Sequence, residues 1–301
     1  MVSSRRELST VRVGMSQPHN SAQLRDLMQD FSLEMTGKDV AALQEAAPSI
    51  PQGTRINVTF LGNEDLEMRV TAAKTVKDLG FTPVPHISAR RLENEKELHQ
   101  FLQALADVDA AKHVFAVGGD PAEPLGPYAS SLEMLESGVF KDYGVEEVSV
   151  AGYAEGHPDI ADEILARELK GKIDLLAEQE LGAVIITQFG FDTDPVVHWL
   201  NELAALGISA PVRIGVPGPA GVKRLLNYAR RFGVASSAGI VKKYGFSLTN
   251  LMGTAGPDKF LRNLAGEAAK SRYRGKVGVH FYTFGGMAKT ADWAKEFIAN
   301  A

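Results

Sequence analysis

The chain has 301 residues, 45% hydrophobic and 23% charged, the make-up of a globular protein with room for a sizeable core. Its formal net charge of −5 gives no general attraction to nucleic acid or an anionic membrane, so neither is expected as a partner. Cysteine is absent, which removes disulfides, thiolate nucleophiles and sulfur-rich metal sites and is compatible with a cytoplasmic location.

Residues 1–30 are polar, carry Arg5, Arg6, Arg12 and Arg25, and lack the apolar segment of a secretory signal. They read as a loosely held arm with a short helix around Ser21–Met28. No run approaches the roughly 18 uninterrupted apolar residues of a membrane span. From residue 31 to 301 no linker, repeat or low-complexity tract divides the chain, so one domain is expected.

Short runs rich in β-branched residues recur along this domain: Phe31–Met35, Arg55–Leu61, Thr82–Ser88, His113–Val117, Glu147–Tyr153, Ala183–Phe189, Val212–Val216 and Val277–Thr283. Several are almost continuously apolar, as in Val184-Ile185-Ile186, the pattern of strands buried on both faces of a parallel sheet. Helical spacing lies between them. Leu66, Val70, Ala73, Val76 and Leu79 form one stripe, Leu98, Phe101, Leu102 and Leu105 another, and Ile160, Ile164, Leu165, Leu169 and Ile173 a third. Further helices are expected over about 127–140, 194–206, 219–232 and 257–272. Asn63, Asn94 and Thr193 are the expected caps. Eight strands alternating with helices predict an α/β fold, a (β/α)8 TIM barrel. The rival, a doubly wound open sheet, normally starts with a glycine-rich turn after its first strand. Here that place holds Glu34-Met35-Thr36-Gly37-Lys38.

In a barrel of this kind chemistry belongs at the C-terminal ends of the strands. Polar residues gather there: Glu34, Thr59, His86, Asp120 after Gly118-Gly119, Tyr153 with Glu155 and His157, Gln188, and Tyr282. Glu34 follows apolar Phe31 and Leu33, a partly desolvated setting that suits a general acid; it could equally pair with a barrel arginine or cap a helix. Asp120 could meet a ligand beside its glycines or simply make the turn before Pro121. No HxH or HExxH spacing supports a metal site, and none is expected. Gly215-Val216-Pro217-Gly218-Pro219 reads either as a phosphate-binding loop or as a rigid turn. Lys223, Arg224, Arg230 and Arg231 read as a solvated helix face. An aldolase-like barrel would want a Schiff-base lysine late in an inner strand, and none of the eight runs offers an obvious one.

Val150-Ala151-Gly152-Tyr153-Ala154-Glu155-Gly156-His157-Pro158 resembles the fifth-strand motif of methylenetetrahydrofolate reductases. Ile186-Thr187-Gln188-Phe189-Gly190-Phe191-Asp192, His280-Phe281-Tyr282-Thr283, Pro85-His86, Gly119-Asp120-Pro121 and Ser32-Leu33-Glu34 also fall in that family's order. The resemblance covers about residues 31–290. It implies interconversion of 5,10-methylenetetrahydrofolate and 5-methyltetrahydrofolate with NAD(P)H, through bound FAD in a ping-pong cycle. Glu34 would be the general acid that opens the methylene bridge. Asp120 would orient folate and tune the flavin, and Gln188 would contact nicotinamide and folate in turn. Thr59, His86, Gly119, Tyr128, Ala129, Tyr153 and His157 would line FAD, and Tyr282 would close the substrate site. A homo-oligomer is also implied. The chain ends soon after the barrel, so regulation through the extra domain of larger relatives is not expected.

Gly118 stands where the family carries an arginine, and Glu178 aligns with a lysine that helps hold FAD. Flavin-independent hydride transfer and a catalytically idle folate- or flavin-binding barrel are therefore the alternatives to the FAD-dependent reading.

Overall fold

The computed structural model describes residues 18–231 and 254–301. Eight of the described strands close a parallel barrel: β1 (Ser32–Met35), β2 (Arg55–Val58), β3 (Thr82–Ser88), β4 (His113–Val117), β5 (Glu147–Gly152), β6 (Gly182–Phe189), β7 (Val212–Pro217) and β8 (Val277–Tyr282). Each pairs with its neighbours in chain order, and β1 pairs with β8 to close the ring in the register Ser32 to His280 and Leu33 to Phe281. Outside it lie α1 (Pro18–Met28), α2 (Val40–Ala46), α3 (Leu66–Asp78), α4 (Glu95–Asp107), α5 (Ser131–Glu136), α6 (Asp162–Glu178), α7 (Thr193–Ala205), α8 (Val222–Arg231), α9 (Asp258–Ala268) and α10 (Met287–Ala299). The barrel expected from the alternating pattern is present, strand for strand.

The helices show why the periodic stripes were readable. In α4 the side chains of Leu98, Phe101, Leu102 and Leu105 are fully buried, and Asn94 caps the first turn by accepting from the Glu97 N–H at 3.1 Å. Two of the expected caps move: Asp65, not Asn63, accepts from the Met68 N–H, and Asp192, not Thr193, accepts from the Asp194 N–H. The span expected as one helix over 127–140 is instead a loop, the short α5 and a 3-10 turn over Val139–Tyr143. Helices α2 and α10 were not among those expected. The buried face of α10 holds Met287, Thr290, Ala291, Ala294 and Phe297, where small residues dilute the hydrophobic signal. Residues 18–28, expected to belong to a loose arm, are docked: Leu24, Leu27 and Met28 are buried, and α1 packs on α9 and β8.

The barrel interior is layered. At the foot, Arg55 on β2 grips Glu147 on β5 through both guanidinium nitrogens, and His113 on β4 stands 3.5 Å from the same carboxylate. Beside them Arg213 on β7 reaches Asp30 at 2.7 Å. Above comes an apolar layer of Val84, Phe115, Val184 and Ile186. The polar residues of the mouth lie on top. A barrel filled this way is a packed core and not a pore.

Burial alone would raise the Glu147 carboxyl, but hydrogen bonds from His113 and Arg55 and the Arg55 charge hold it at about 2, against an ordinary 4.5. A carboxylate lowered on folding stabilises the protein fully above the unfolded value and loses that contribution as pH falls towards the folded one. Its contribution is on the order of 2–3 kcal/mol, present above a pH of about 4.5 and lost between about 4.5 and 2. In chemical denaturation, Glu147→Gln is expected to flatten the pH dependence over that window by this amount. An unchanged slope would show that the foot network does not couple to folding.

Candidate active site at the barrel mouth

The closure between β1 and β8 brings Glu34 and His280 together. Glu34 Oε2 lies 3.3 Å from His280 Nε2, and the other ring nitrogen, Nδ1, lies 2.9 Å from Ser32 Oγ. Ser32 Oγ also stands 3.5 Å from the Val279 carbonyl oxygen. Ser32 and His280 are fully buried, and Glu34 keeps 18% of its side chain exposed. Thr283 completes the setting by donating its hydroxyl to the Glu34 backbone carbonyl at 2.7 Å. The acid thus faces the mouth on a support of two buried strands. Ser32, His280 and Thr283 fall in the family motifs but were given no role of their own from the sequence. Each lies two residues, or one, from a residue that was given one, and the alternation of a strand puts positions two apart on one face.

Around Glu34 the mouth brings together several of the expected residues. His86 Nε2 is 3.9 Å from Glu34 Oε2 and has no hydrogen-bond partner among the described residues. Burial, more than the opposing pull of Glu34, pushes the His86 pKa down to about 4, and His280 adds to that push. It is a neutral imidazole at neutral pH. Tyr282 is stacked edge-on to His280 and donates its hydroxyl to the Thr187 carbonyl at 3.1 Å. Burial, with Glu34 and Tyr153 beside it, lifts the Tyr282 phenol well above its ordinary value. Thr59 Oγ1, Ser88 Oγ and both amide atoms of Asn57 are buried and unpartnered among the described residues. Buried polar atoms are normally paired, so this rim offers hydrogen bonds to a polar ring edge. Gln188 and Tyr153 line one small cavity with His157, and the Gln188 amide oxygen accepts from the Phe189 N–H.

Asp120 is placed differently from the rest. Its side chain is 77% exposed and pairs with Arg91 at 2.5 Å, on the outer lip of the mouth. Gly119 before it has φ +98°, and a Cβ there would meet Ser88 Oγ at 2.1 Å, so glycine is required on both counts. Arg90 binds the rest of this loop: its guanidinium donates to the carbonyls of Pro121, Ala122 and Ala129. The Ala129 N–H donates to Glu133 at 2.6 Å. Tyr128 is buried, its hydroxyl against Ser137.

Two other expectations resolve. Residues 215–219 are buried, the Gly218 N–H donates to the Tyr282 carbonyl, and a Cβ on Gly218 would strike Thr290; the segment is the rigid turn and not a phosphate loop. Glu178 lies at the C-terminal end of α6, exposed at the foot of the barrel, where the chain turns into β6. It therefore faces no ligand at the mouth, and its alignment with a cofactor lysine does not hold in space. Among the described residues no group of three or more His, Asp or Glu side chains is arranged to hold a metal ion, and no helix is long and apolar enough to cross a membrane.

A sequence model of the methylenetetrahydrofolate reductase family matches residues 31–244, more than two thirds of the chain. The chain belongs to that family. It is 28% identical over 162 residues to methylenetetrahydrofolate reductase (NADH) 1 of Arabidopsis thaliana, a match covering 48% of this chain and 26% of that protein. It is 30% identical over 117 residues to methylenetetrahydrofolate reductase 2 of Saccharomyces cerevisiae, covering 35% and 18%. The matches thus span about a quarter or less of these relatives' length. In fold, it is similar to a solved protein from Clostridium thermocellum that binds two copies of 5-methyl-5,6,7,8-tetrahydrofolic acid, with a TM-score of 0.60, 10% identity, and 92% and 99% of the two chains covered.

The positions that the family resemblance assigns to FAD divide into two halves. At the ring end, Thr59 and His86 present unpaired polar atoms, with Ser88 beside them, and fit the edge of a flat heterocycle. At the diphosphate end the described residues do not fit. Gly118 offers no side chain, both backbone groups of Ala129 are taken by Arg90 and Glu133, and the arginines nearby are engaged with carbonyls or with Asp120.

The charge state of His86 can be checked directly. In a histidine-resolved NMR titration its ring is expected to stay neutral from pH 8 down to about 5 and to protonate near 4. A midpoint near 6.5 would contradict the buried, unpartnered imidazole described above.

Proposed function

We propose that this protein interconverts 5,10-methylenetetrahydrofolate and 5-methyltetrahydrofolate, with a nicotinamide dinucleotide as the hydride partner. The observation that carries this reading is the Ser32–His280–Glu34 line set into the barrel closure, in a chain of this family.

Breaking the bridge from the methylene carbon to N10 needs a proton at N10, and in this reading Glu34 gives it. His280 can support the acid in both of its states. When Glu34 is ionised, Ser32 donates to Nδ1 and Nε2–H donates to the carboxylate. When Glu34 is protonated, Nδ1–H donates to Ser32, whose own proton turns to the Val279 carbonyl, and Nε2 accepts from the acid. The hydrogen-bond chain therefore inverts with the acid and leaves neither state unpaired. His280 is a positioning residue in this scheme and Glu34 the catalytic one. The iminium left on N5 then takes a hydride. Neutral His86, Thr59 and Asn57 offer hydrogen bonds to the pterin edge without adding a positive charge beside the iminium. The intact acid line also argues against an idle barrel, for which such a support has no use. No step is assigned to FAD, because the diphosphate end of its implied site does not fit.

Glu34→Gln is expected to lower methylenefolate turnover by about 10²–10⁴-fold while folate binding, followed by calorimetry, is retained. Turnover within a few-fold of the parent would remove the general-acid role. His280→Asn is expected to lower kcat with little change in KM and to shift the pH at which the rate falls. Loss of rate with an unmoved pH profile would reduce His280 to a structural part.

A further inference from the structure

Resting on the folate reading above, we infer that this chain passes hydride directly from a dihydronicotinamide to the folate, both held at the mouth together, with no resident flavin between them. The anionic tail of the dinucleotide lies over the β7–β8 side of the rim.

Charge and hydrogen bonding around the mouth are unequal, and this carries the inference. On the β3–β6 side the described residues offer a diphosphate few charge-assisted contacts. The Ala129 N–H, which an incoming phosphate oxygen would need, already faces the Glu133 carboxylate. Arg90 is committed to three carbonyls, and the Arg91 guanidinium is paired through one terminal nitrogen with Asp120, which leaves its buried Nε without a partner among the described residues. Among the described residues, the groove that leaves the mouth past Tyr153 and His157, about 970 Å³ between α6 and α7, is lined by the carboxylates of Asp162, Glu163 and Glu202 and by no lysine or arginine. Lys172, further along α6, is mostly buried beside Glu168, and burial pushes its ammonium pKa down. A diphosphate taken into this groove would lose its hydration and meet like charge. A resident cofactor must stay bound through every turnover and needs charge-assisted contacts that this side does not supply.

The opposite side differs in sign. Helix α8 follows β7, so its first turn stands at the mouth, and Lys223 and Arg224 there are exposed. Arg224 is tied to the rim by donating to the Phe284 carbonyl at 3.0 Å, and Phe284 stacks on Tyr228 at 3.9 Å. A co-substrate that leaves after each turnover needs only modest affinity, and two exposed cations can provide it.

The step balances without a further redox partner. Glu34 gives its proton to N10 as the methylene carbon–N10 bond breaks, leaving the iminium on N5. The C4–H bond of the dihydronicotinamide breaks, and its electron pair forms the third C–H bond of the methyl group. The products are oxidised nicotinamide and 5-methyltetrahydrofolate, and solvent restores the proton of Glu34.

The experiment uses the full chain purified without added flavin. Three readouts are taken: FAD titration followed by flavin fluorescence, initial rates with NADH and methylenefolate varied together, and mass analysis of product formed from NADH deuterated at C4. The expected results are no saturable FAD binding below about 100 µM, turnover without FAD and unaffected by it, intersecting reciprocal plots, and deuterium carried into the methyl group. Tight FAD binding, a requirement for FAD, or parallel plots would overturn direct transfer and leave the folate reading standing. No turnover with or without FAD would overturn the folate reading and this inference together. The joint change Lys223→Glu and Arg224→Glu is expected to raise KM for NADH about tenfold with the folate KM held, the equivalent of about 1.4 kcal/mol. An unchanged NADH KM would overturn the placement of the dinucleotide tail.

Discussion

The pairing of the first strand with the last is the constraint on which the site depends. Ser32 stands opposite His280 in the ladder that closes the barrel, which puts Ser32 and Glu34 on the same inward face as His280 and Tyr282. A slip of one residue would turn every side chain of β1 to the other face. Glu34 would then face the helices, and buried Leu33 would face the mouth. The residues proposed to handle the proton therefore need no loop to assemble them. They come from strands far apart in sequence that the topology forces to be neighbours.

The layers below the mouth extend this argument from geometry to electrostatics. In the charged foot Arg55 and Glu147 are paired with His113 beside them, and the apolar layer of Val84, Phe115, Val184 and Ile186 separates it from the top. That layer supplies the low-polarity floor that keeps His86 neutral and lifts the phenol of Tyr282. The outer rim is then free to differ from one side to the other, with carboxylates beside α6 and α7 and cations at the start of α8. Fold, foot and floor hold the acid, while the rim decides what sort of molecule can lie next to it.

Much of this was legible in the amino-acid sequence because it is periodic or local. The eight apolar runs match the eight strands within a residue or three, since strands buried on both faces carry an almost continuous signal. Glu34, His86, Tyr153, Gln188 and Tyr282 stood out because polar residues at the ends of such runs are conspicuous. What was not legible depends on distance in sequence. Nothing local says that Ser32 will meet His280, 248 residues away. Asp120 looked equivalent to the other polar ends, yet the turn made by Gly119 carries it outward to Arg91. Glu178 could be aligned with a cofactor lysine in one dimension, while the run of α6 takes it to the opposite end of the barrel. Helix α10 was missed because its buried face is largely alanine and threonine.

The most direct test of the account is a crystal structure of this protein with 5-methyltetrahydrofolate bound. The account predicts the pterin inside the mouth, its N5–N10 edge facing the Glu34 carboxyl at hydrogen-bonding distance, with the His280 and Ser32 contacts preserved. A folate seated in the groove between α6 and α7, or one whose N5–N10 edge points away from Glu34, would contradict it.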